Sequence, residues 1–284
     1  MKVYLMTDLE GVAGVYTWEN RQEDTLENHE RRMRQRRWLA REVNAAAQGF
    51  FAAGASHVLV NDGHGAGYTI DLDEIDPRLE VVHGQQRPFW LPHIETCDVT
   101  GIVGAHAKAA TPQANLAHSM SSAVRGYWIN GLSVGEMGLQ ALIAGHYGIP
   151  FVFVAGDYWA CREMEELCPG CVAVAVKRGL GLFAARTLAP QRAQERIRDG
   201  AARALQAAAE VEPLTLEPPL RLRCEMKGPA YDPEKPPSHG TVVDAHTLEV
   251  EAADIIELTN KVFGYPPDWQ PRERGQAQGP NDDA

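Results

Sequence analysis

The sequence has no run of apolar residues approaching the ~18–20 that a membrane span requires. Its opening stretch, MKVYLMTDLEGVAG, is interrupted at Asp8 and Glu10. It therefore lacks the long uncharged segment and small-residue cleavage site of a secretory signal, and a cytoplasmic protein with no membrane partner is expected. Basic residues are also short: 27 Lys and Arg face 38 Asp and Glu, for a formal charge of −11. That balance argues against nucleic acid, whose footprint is a basic face. The five cysteines are an odd set in a chain large enough to need no disulfide staples. Cys168-Pro169-Gly170-Cys171 has redox-motif spacing, but it closes a helix-like run (160–167) instead of opening one. No second cysteine pair completes a zinc knuckle, so it reads as a turn. Nucleotide-binding signatures are missing too, with no GxGxxG after the first strand and no GxxxxGK[ST]. Neither Ser119 nor Cys161 sits in a glycine elbow that would present a nucleophile.

What is present is material for a core, 44% apolar residues in 284. Short β-branched runs at 3–7, 57–62, 79–83, 98–103, 127–129, 151–155 and 172–176 alternate with helical periodicities. Those helices fall at about 28–53, 136–147, 158–167 and 190–209. The alternation predicts an α/β fold with a mostly parallel sheet flanked by helices. Beyond residue 210, prolines punctuate short strands near 220–226 and 241–243, then a strand-turn-helix at 247–264, which predicts a smaller C-terminal α+β portion. The expected organisation is a metal-binding α/β catalytic core over 1–190 and a C-terminal helix and α+β subdomain over 191–269. A polar, Gly/Pro-containing tail over 270–284 is expected to be disordered.

Several chemically capable side chains fall at predicted strand exits or helix starts, the edge where open parallel sheets bind ligands. Asp8 and Glu10 are two residues apart, which in an extended chain puts both carboxylates on one face. Carboxylates held together repel unless a cation or shared proton relieves them. His64 lies between Gly63 and Gly65 after the second strand, and His106 repeats that placement in Gly104-Ala105-His106. Glu136 begins a helix. Taken singly, these are also a pair of solvated turn acids, two loop histidines and an ordinary helix-capping acid. Taken together, three carboxylates and two imidazoles are a ligand mix suited to zinc, with manganese or cobalt as substitutes. A shared carboxylate can bridge two ions about 3.5–4 Å apart. His118, outside that set, is suited to carrying a proton, with a structural role as the alternative. Asn130 and Lys177 are candidates for polarising a substrate carbonyl or binding a carboxylate.

The stretches TDLEGVAG (7–14), NDGH (61–64), GAHAK (104–108), HSM (118–120) and INGLSVGEMG (129–138) occur in an order that resembles the D-aminopeptidase DppA family of zinc metallopeptidases. The resemblance implies that Asp8, Glu10, His64, His106 and Glu136 are ligands of a two-zinc site and that His118 is the catalytic histidine. It implies removal of N-terminal D-amino acids from short peptides such as D-alanyl-D-alanine, and a cytoplasmic, ring-shaped homo-oligomer, a decamer. Three alternatives remain at this level. One is a metal-dependent amidase or esterase on a non-peptide substrate, and another a catalytically silent metal- or peptide-binding protein. The third, a two-metal phosphatase, would want more Asn and His ligands.

Overall fold

A computed structural model describes residues 1–232, 237 and 239–266. The tail expected to be disordered, 270–284, lies outside the described residues. In chain order the first elements are β1 (Lys2–Thr7), α1 (Leu26–Ala52), β2 (His57–Asp62), β3 (Glu80–Val82) and β4 (Val99–Ala105). There follow β5 (Val124–Ile129), β6 (Leu132–Val134), α2 (Glu136–His146), β7 (Phe151–Asp157) and α3 (Tyr158–Leu167). The remainder comprises β8 (Val172–Gly181), β9 (Ala184–Thr187), α4 (Pro190–Gln206), β10 (Leu220–Met226), β11 (Thr241–Asp244), β12 (Thr247–Ala252) and α5 (Ile255–Phe263).

Seven strands form one sheet in the order β3-β2-β1-β4-β7-β8-β9. All pairings are parallel except β8 with β9. Period-2 alternation decides what each face carries. Val3 and Leu5 of β1 pack with Leu39, Val43 and Phe50 of α1 and Ile197 and Ala201 of α4. Tyr4 and Met6 point the other way, into a cluster with Leu139, Leu142 and Ile143 of α2 and Met164 of α3. Both faces are thus covered, which is why the strands read as continuous apolar runs and not as alternating ones. The mostly parallel, helix-flanked sheet predicted from the sequence is the one observed.

Local chemistry sets the boundaries. Thr25 Oγ1 accepts from Asn28 N (3.2 Å) at the start of α1, a cap that contributes about 1 kcal/mol. Asp157 and Asp254 cap α3 and α5 in the same way. The Cys168–Cys171 segment is a turn: Cys168 N donates to Met164 O, Cys171 N to Cys168 O, and none of the five cysteines is in a disulfide.

A second, antiparallel sheet has the order β11-β12-β10-β5-β6. Asn130 (φ 48°) and Gly131 (φ 86°) make the two-residue turn between β5 and β6, with the positive φ pair of a type I′ hairpin. The smaller sheet therefore draws strands from both sides of residue 190, while α4, just past that point, packs on α1 against the large sheet.

The chain leaves β1 toward β2 on one side and returns to β4 on the other, so strand order reverses between β1 and β4. In doubly wound sheets such a reversal opens a crevice beyond the carboxyl ends of the strands. Asp8 follows β1 directly, His106 follows β4 directly, and His64 lies two residues past β2.

Candidate metal centre

Two loops interlock at the reversal point. Asp8 N donates to Val103 O (2.9 Å), extending the β1–β4 ladder by one residue, and Gly11 N donates to Gly104 O (2.7 Å). A Cβ on Gly104 would lie 1.8 Å from Asp8 O, and one on Gly11 would lie 2.0 Å from Ala105 O. Gly104 also has φ +79°, a conformation that L side chains rarely adopt. This side-chain-free contact brings Asp8 Oδ2 within 3.0 Å of His106 Nε2. The strand ends at Thr7, so Asp8 and Glu10 share a face through a tight turn and not, as the spacing suggested, through an extended chain.

Two groups of three donors result: Asp8, Glu10 and His64, and His106, His118 and Glu136. His64 Nδ1 lies 2.9 Å from Asp8 Oδ1 and 3.0 Å from Glu10 Oε2. Glu136 Oε1 lies 3.4 Å from His106 Nε2 and 3.6 Å from His118 Nε2. The rings of His106 and His118 stack with centroids 4.0 Å apart. Asp8 joins the groups, with one carboxylate oxygen toward each of His64 and His106. Both groups open into a cleft of about 480 Å³, whose walls include Gly65, Gly67, Gln85, Trp90, Met120 and Tyr265.

Charge and burial compete here. Burial alone would raise Asp8, yet His106 and His64 hold it well below the usual carboxylate range. Burial likewise acts to raise Glu136, and His106 with His118 brings it below its ordinary value. The imidazoles respond in the opposite sense: burial would lower His106 and His64, but Asp8 and Glu136 drive the first well above its ordinary value and Glu10 and Asp8 the second. These carboxylates are held ionised inside the protein, which calls for cationic neighbours. His106 Nε2 and Glu10 Oε2 are buried and make no well-formed hydrogen bond, although Asp8 Oδ2 and His64 Nδ1 lie 3.0 Å from them. His106 Nδ1 lies 3.0 Å from Ala107 O and His118 Nδ1 lies 2.9 Å from Leu116 O. A carbonyl only accepts, so Nδ1 carries the proton in both rings and Nε2 is the atom turned to the cluster. Buried oxygen and nitrogen donors converging in a mixed carboxylate–imidazole set fit a pair of divalent ions of the zinc, manganese or cobalt kind.

A sequence model of the D-aminopeptidase family matches residues 1–262. The chain belongs to the D-aminopeptidase family. The D-aminopeptidase of Bacillus subtilis (strain 168) is 32% identical over 265 residues, covering 90% of this chain and 93% of that protein. A solved structure of the zinc-dependent D-aminopeptidase DppA from Bacillus subtilis, described as a self-compartmentalizing protease, superposes with a TM-score of 0.84 at 29% identity. That match covers 93% of this chain and 96% of the other.

In this member of the D-aminopeptidase family, six of the eight residues singled out from sequence make up the two donor groups, and two do not. Asn130 sits in the β5–β6 turn, where its side chain donates to Glu217 O and Pro219 O and accepts from Arg221 N. It lines a separate cavity on the smaller sheet with Trp128, Arg221 and Glu249. Lys177 is buried behind the cluster, and its Nζ donates to Glu10 O, Val15 O and Asn115 Oδ1. Those three acceptors use all three ammonium protons, so Lys177 supports the Asp8–Glu10 turn and has no donor left for a substrate carbonyl.

Sequence reasoning missed several members of the surroundings. Glu163 Oε2 accepts from Lys108 N (2.9 Å), and Lys108 Nζ donates to Ser133 O (3.1 Å), tying the His106 loop to α3 and β6. Glu136 Oε1 also accepts from Met120 N (2.7 Å), fixing the His118 loop. Trp18 packs edge-on against His118 with centroids 5.1 Å apart, and Glu19 approaches His64. Trp18 and Glu19 lie in a polar loop with no periodicity to mark them. Two arginines near the start of α1 also join these surroundings: Arg36 donates to Tyr68 O and Thr69 O, and Arg32 pairs with Glu19.

Proposed function

We propose that this chain is a zinc-dependent aminopeptidase that hydrolyses short peptides carrying an N-terminal D-amino acid. Asp8, Glu10, His64, His106 and Glu136 are its zinc ligands and His118 its proton carrier. The observation that carries the ligand assignment is Asp8, whose two oxygens face His64 at 2.9 Å and His106 at 3.0 Å and so link both donor groups. Family membership and the zinc-dependent relative support the metal and the reaction.

Zinc bound by these residues supplies Lewis acidity, which activates water and polarises a scissile carbonyl. The chain's own contribution is positional. His118 keeps its Nδ1 proton on Leu116 O, leaving Nε2 to take up a proton and deliver it to the leaving amine. Stacking on His106 and the edge of Trp18 fix the ring plane, so that this exchange occurs at one place in the cleft.

The reading extends to assembly and location. The described residues contain no helix long and apolar enough to cross a membrane. Similarity to a self-compartmentalizing protease along 96% of that chain supports a closed homo-oligomer, and we take the reading further, to a ring of ten subunits in the cytoplasm. Enclosing the cleft in a lumen would admit short peptides and exclude folded proteins.

The test is amine release from paired L- and D-alanyl dipeptides, with zinc and after chelation, on wild type and on His118→Ala. The expected result is zinc-dependent cleavage of the D-series alone. In the variant, turnover falls about 10²–10⁴-fold with zinc content unchanged. Loss of a zinc ion in His118→Ala would make His118 a ligand. No turnover of either series by wild type loaded with zinc would sink the aminopeptidase reading and favour a non-peptide amide substrate.

A further inference from the structure

His64 offers Nδ1 to Asp8 and Glu10, and its other nitrogen faces away from them. On that side, Nε2 lies 3.4 Å from Glu19 Oε2. Glu19 belongs to the loop between β1 and α1, yet its side chain is only 5% exposed. Its two oxygens are held separately: Oε2 by Arg21 Nε at 2.6 Å, and Oε1 by Arg32 Nε at 3.1 Å. Arg21 is fixed in turn by Thr69 Oγ1 (3.2 Å) and by stacking on Tyr68, 4.7 Å from the ring centroid. Asn28 Nδ2 pins the loop from the first turn of α1 by donating to Asn20 O (2.8 Å) and Glu23 O (2.7 Å). A carboxylate this little exposed, at that distance from an imidazole nitrogen and with two guanidiniums setting its position, is over-determined for a surface ion pair, and the proposed metal chemistry gives it no task.

We propose that Glu19 is a positioning residue for the metal centre: it receives the Nε2 proton of His64, fixes the ring's tautomer and plane, and so keeps Nδ1 available as a ligand atom. An imidazole can give a lone pair to a metal from one nitrogen only while the other carries the proton. A carboxylate acceptor at the second nitrogen selects that form and raises the basicity of the first. The two arginines keep Glu19 from swinging into the donor group, where a fourth carboxylate would compete with Asp8 and Glu10. Trp18, the preceding residue, braces His118 from the same loop, so one short segment orients a histidine on each half of the site.

This inference rests on the reading of His64 as a zinc ligand, and the experiment separates the two. Zinc affinity of the full-length protein is measured by chelator competition, without peptide substrate, for wild type, Glu19→Ala and Glu19→Gln. Thermal melts of the chelated proteins report folding independently. The expected result for Glu19→Ala is a 10–100-fold loss of affinity at one of two zinc sites, with the other unchanged (about the range seen for such supporting groups). Glu19→Gln, whose amide oxygen still accepts from Nε2, should fall between that variant and wild type, and it serves as the test should the alanine variant melt early. Zinc affinities within about twofold of wild type at both sites in Glu19→Gln and Glu19→Ala, with unchanged melts, would overturn the role of Glu19. Equal weakening of both sites would overturn it as well, because only His64's group touches Glu19. A wild type that binds no zinc would instead remove the metal-centre reading itself.

Discussion

Gly104→Ala tests whether the interlocked loops build the site. The new Cβ would meet Asp8 O at 1.8 Å, and the backbone at φ +79° would be strained by any side chain. Holding a non-glycine residue in that region costs about 1–2 kcal/mol. Forcing a methyl into backbone that cannot yield adds about 1–3 kcal/mol. Gly54→Ala is the control, because Gly54 has φ +95° and nothing within 4 Å of the added Cβ, so it carries the strain without the clash. At about 2–4 °C per kcal/mol for a chain of this size, Gly104→Ala should melt roughly 2–12 °C below Gly54→Ala. Both are measured after chelation and at equal subunit concentration, so that neither zinc nor assembly contributes. Relief of the clash must also push Asp8 away from His106, so zinc content should fall in Gly104→Ala and stay at the wild-type level in Gly54→Ala. Equal melting temperatures and full zinc content in both variants would refute the argument that close backbone approach sets the Asp8–His106 distance.

Two further outcomes follow from the polar groups buried behind the cleft. Burial raises the Glu42 carboxyl from 4.5 to about 7, with Ala13 N and Lys177 opposing the rise, and its Oε2 has no partner. The folded chain therefore binds more protons than the unfolded one between those values, and stability falls as pH rises through that window. Glu42→Gln removes a slope worth on the order of 3 kcal/mol, so its melting temperature should gain several degrees on wild type between pH 5 and pH 8. A constant difference across that range would show that Glu42 ionises normally. Lys177→Met leaves Glu10 O, Val15 O and Asn115 Oδ1 without their shared donor. At about 1–3 kcal/mol per orphaned group the loss should reach about 3 kcal/mol or more, with weakened zinc binding. A variant that melted normally and changed only KM would restore Lys177 to a substrate role.

Much of the fold was legible because its determinants are local. The runs at 3–7, 57–62 and 151–155 are strands since each is apolar on both faces, and the helices begin where Thr25, Asp157 and Asp254 cap them. Strand β9 escaped notice because Ala184–Thr187 is a short, mostly exposed edge segment without an apolar face. The spacings at 8–10, 61–64, 104–108 and 129–138 picked out Asp8, Glu10, His64, His106 and Glu136, whose donor atoms the fold brings together. Asn130 and Lys177 look alike in sequence, as polar groups beside apolar strands. The Asn130-Gly131 pair after a strand already reads as a turn, whereas only the path of the loop after β1 shows that Lys177 holds a backbone.

The sequence by itself thus determined the α/β class, the position of most elements and the acids and histidines of the centre, since hydrophobic period, caps and strand exits are properties of neighbouring residues. Tertiary structure alone decided the sheet order with its reversal between β1 and β4, the linking position of Asp8, the burial of Lys177 and the approach of Glu19 to His64. Each of those is a contact between segments tens of residues apart or more, set by which sheet faces the helices cover and how closely glycine lets two backbones approach.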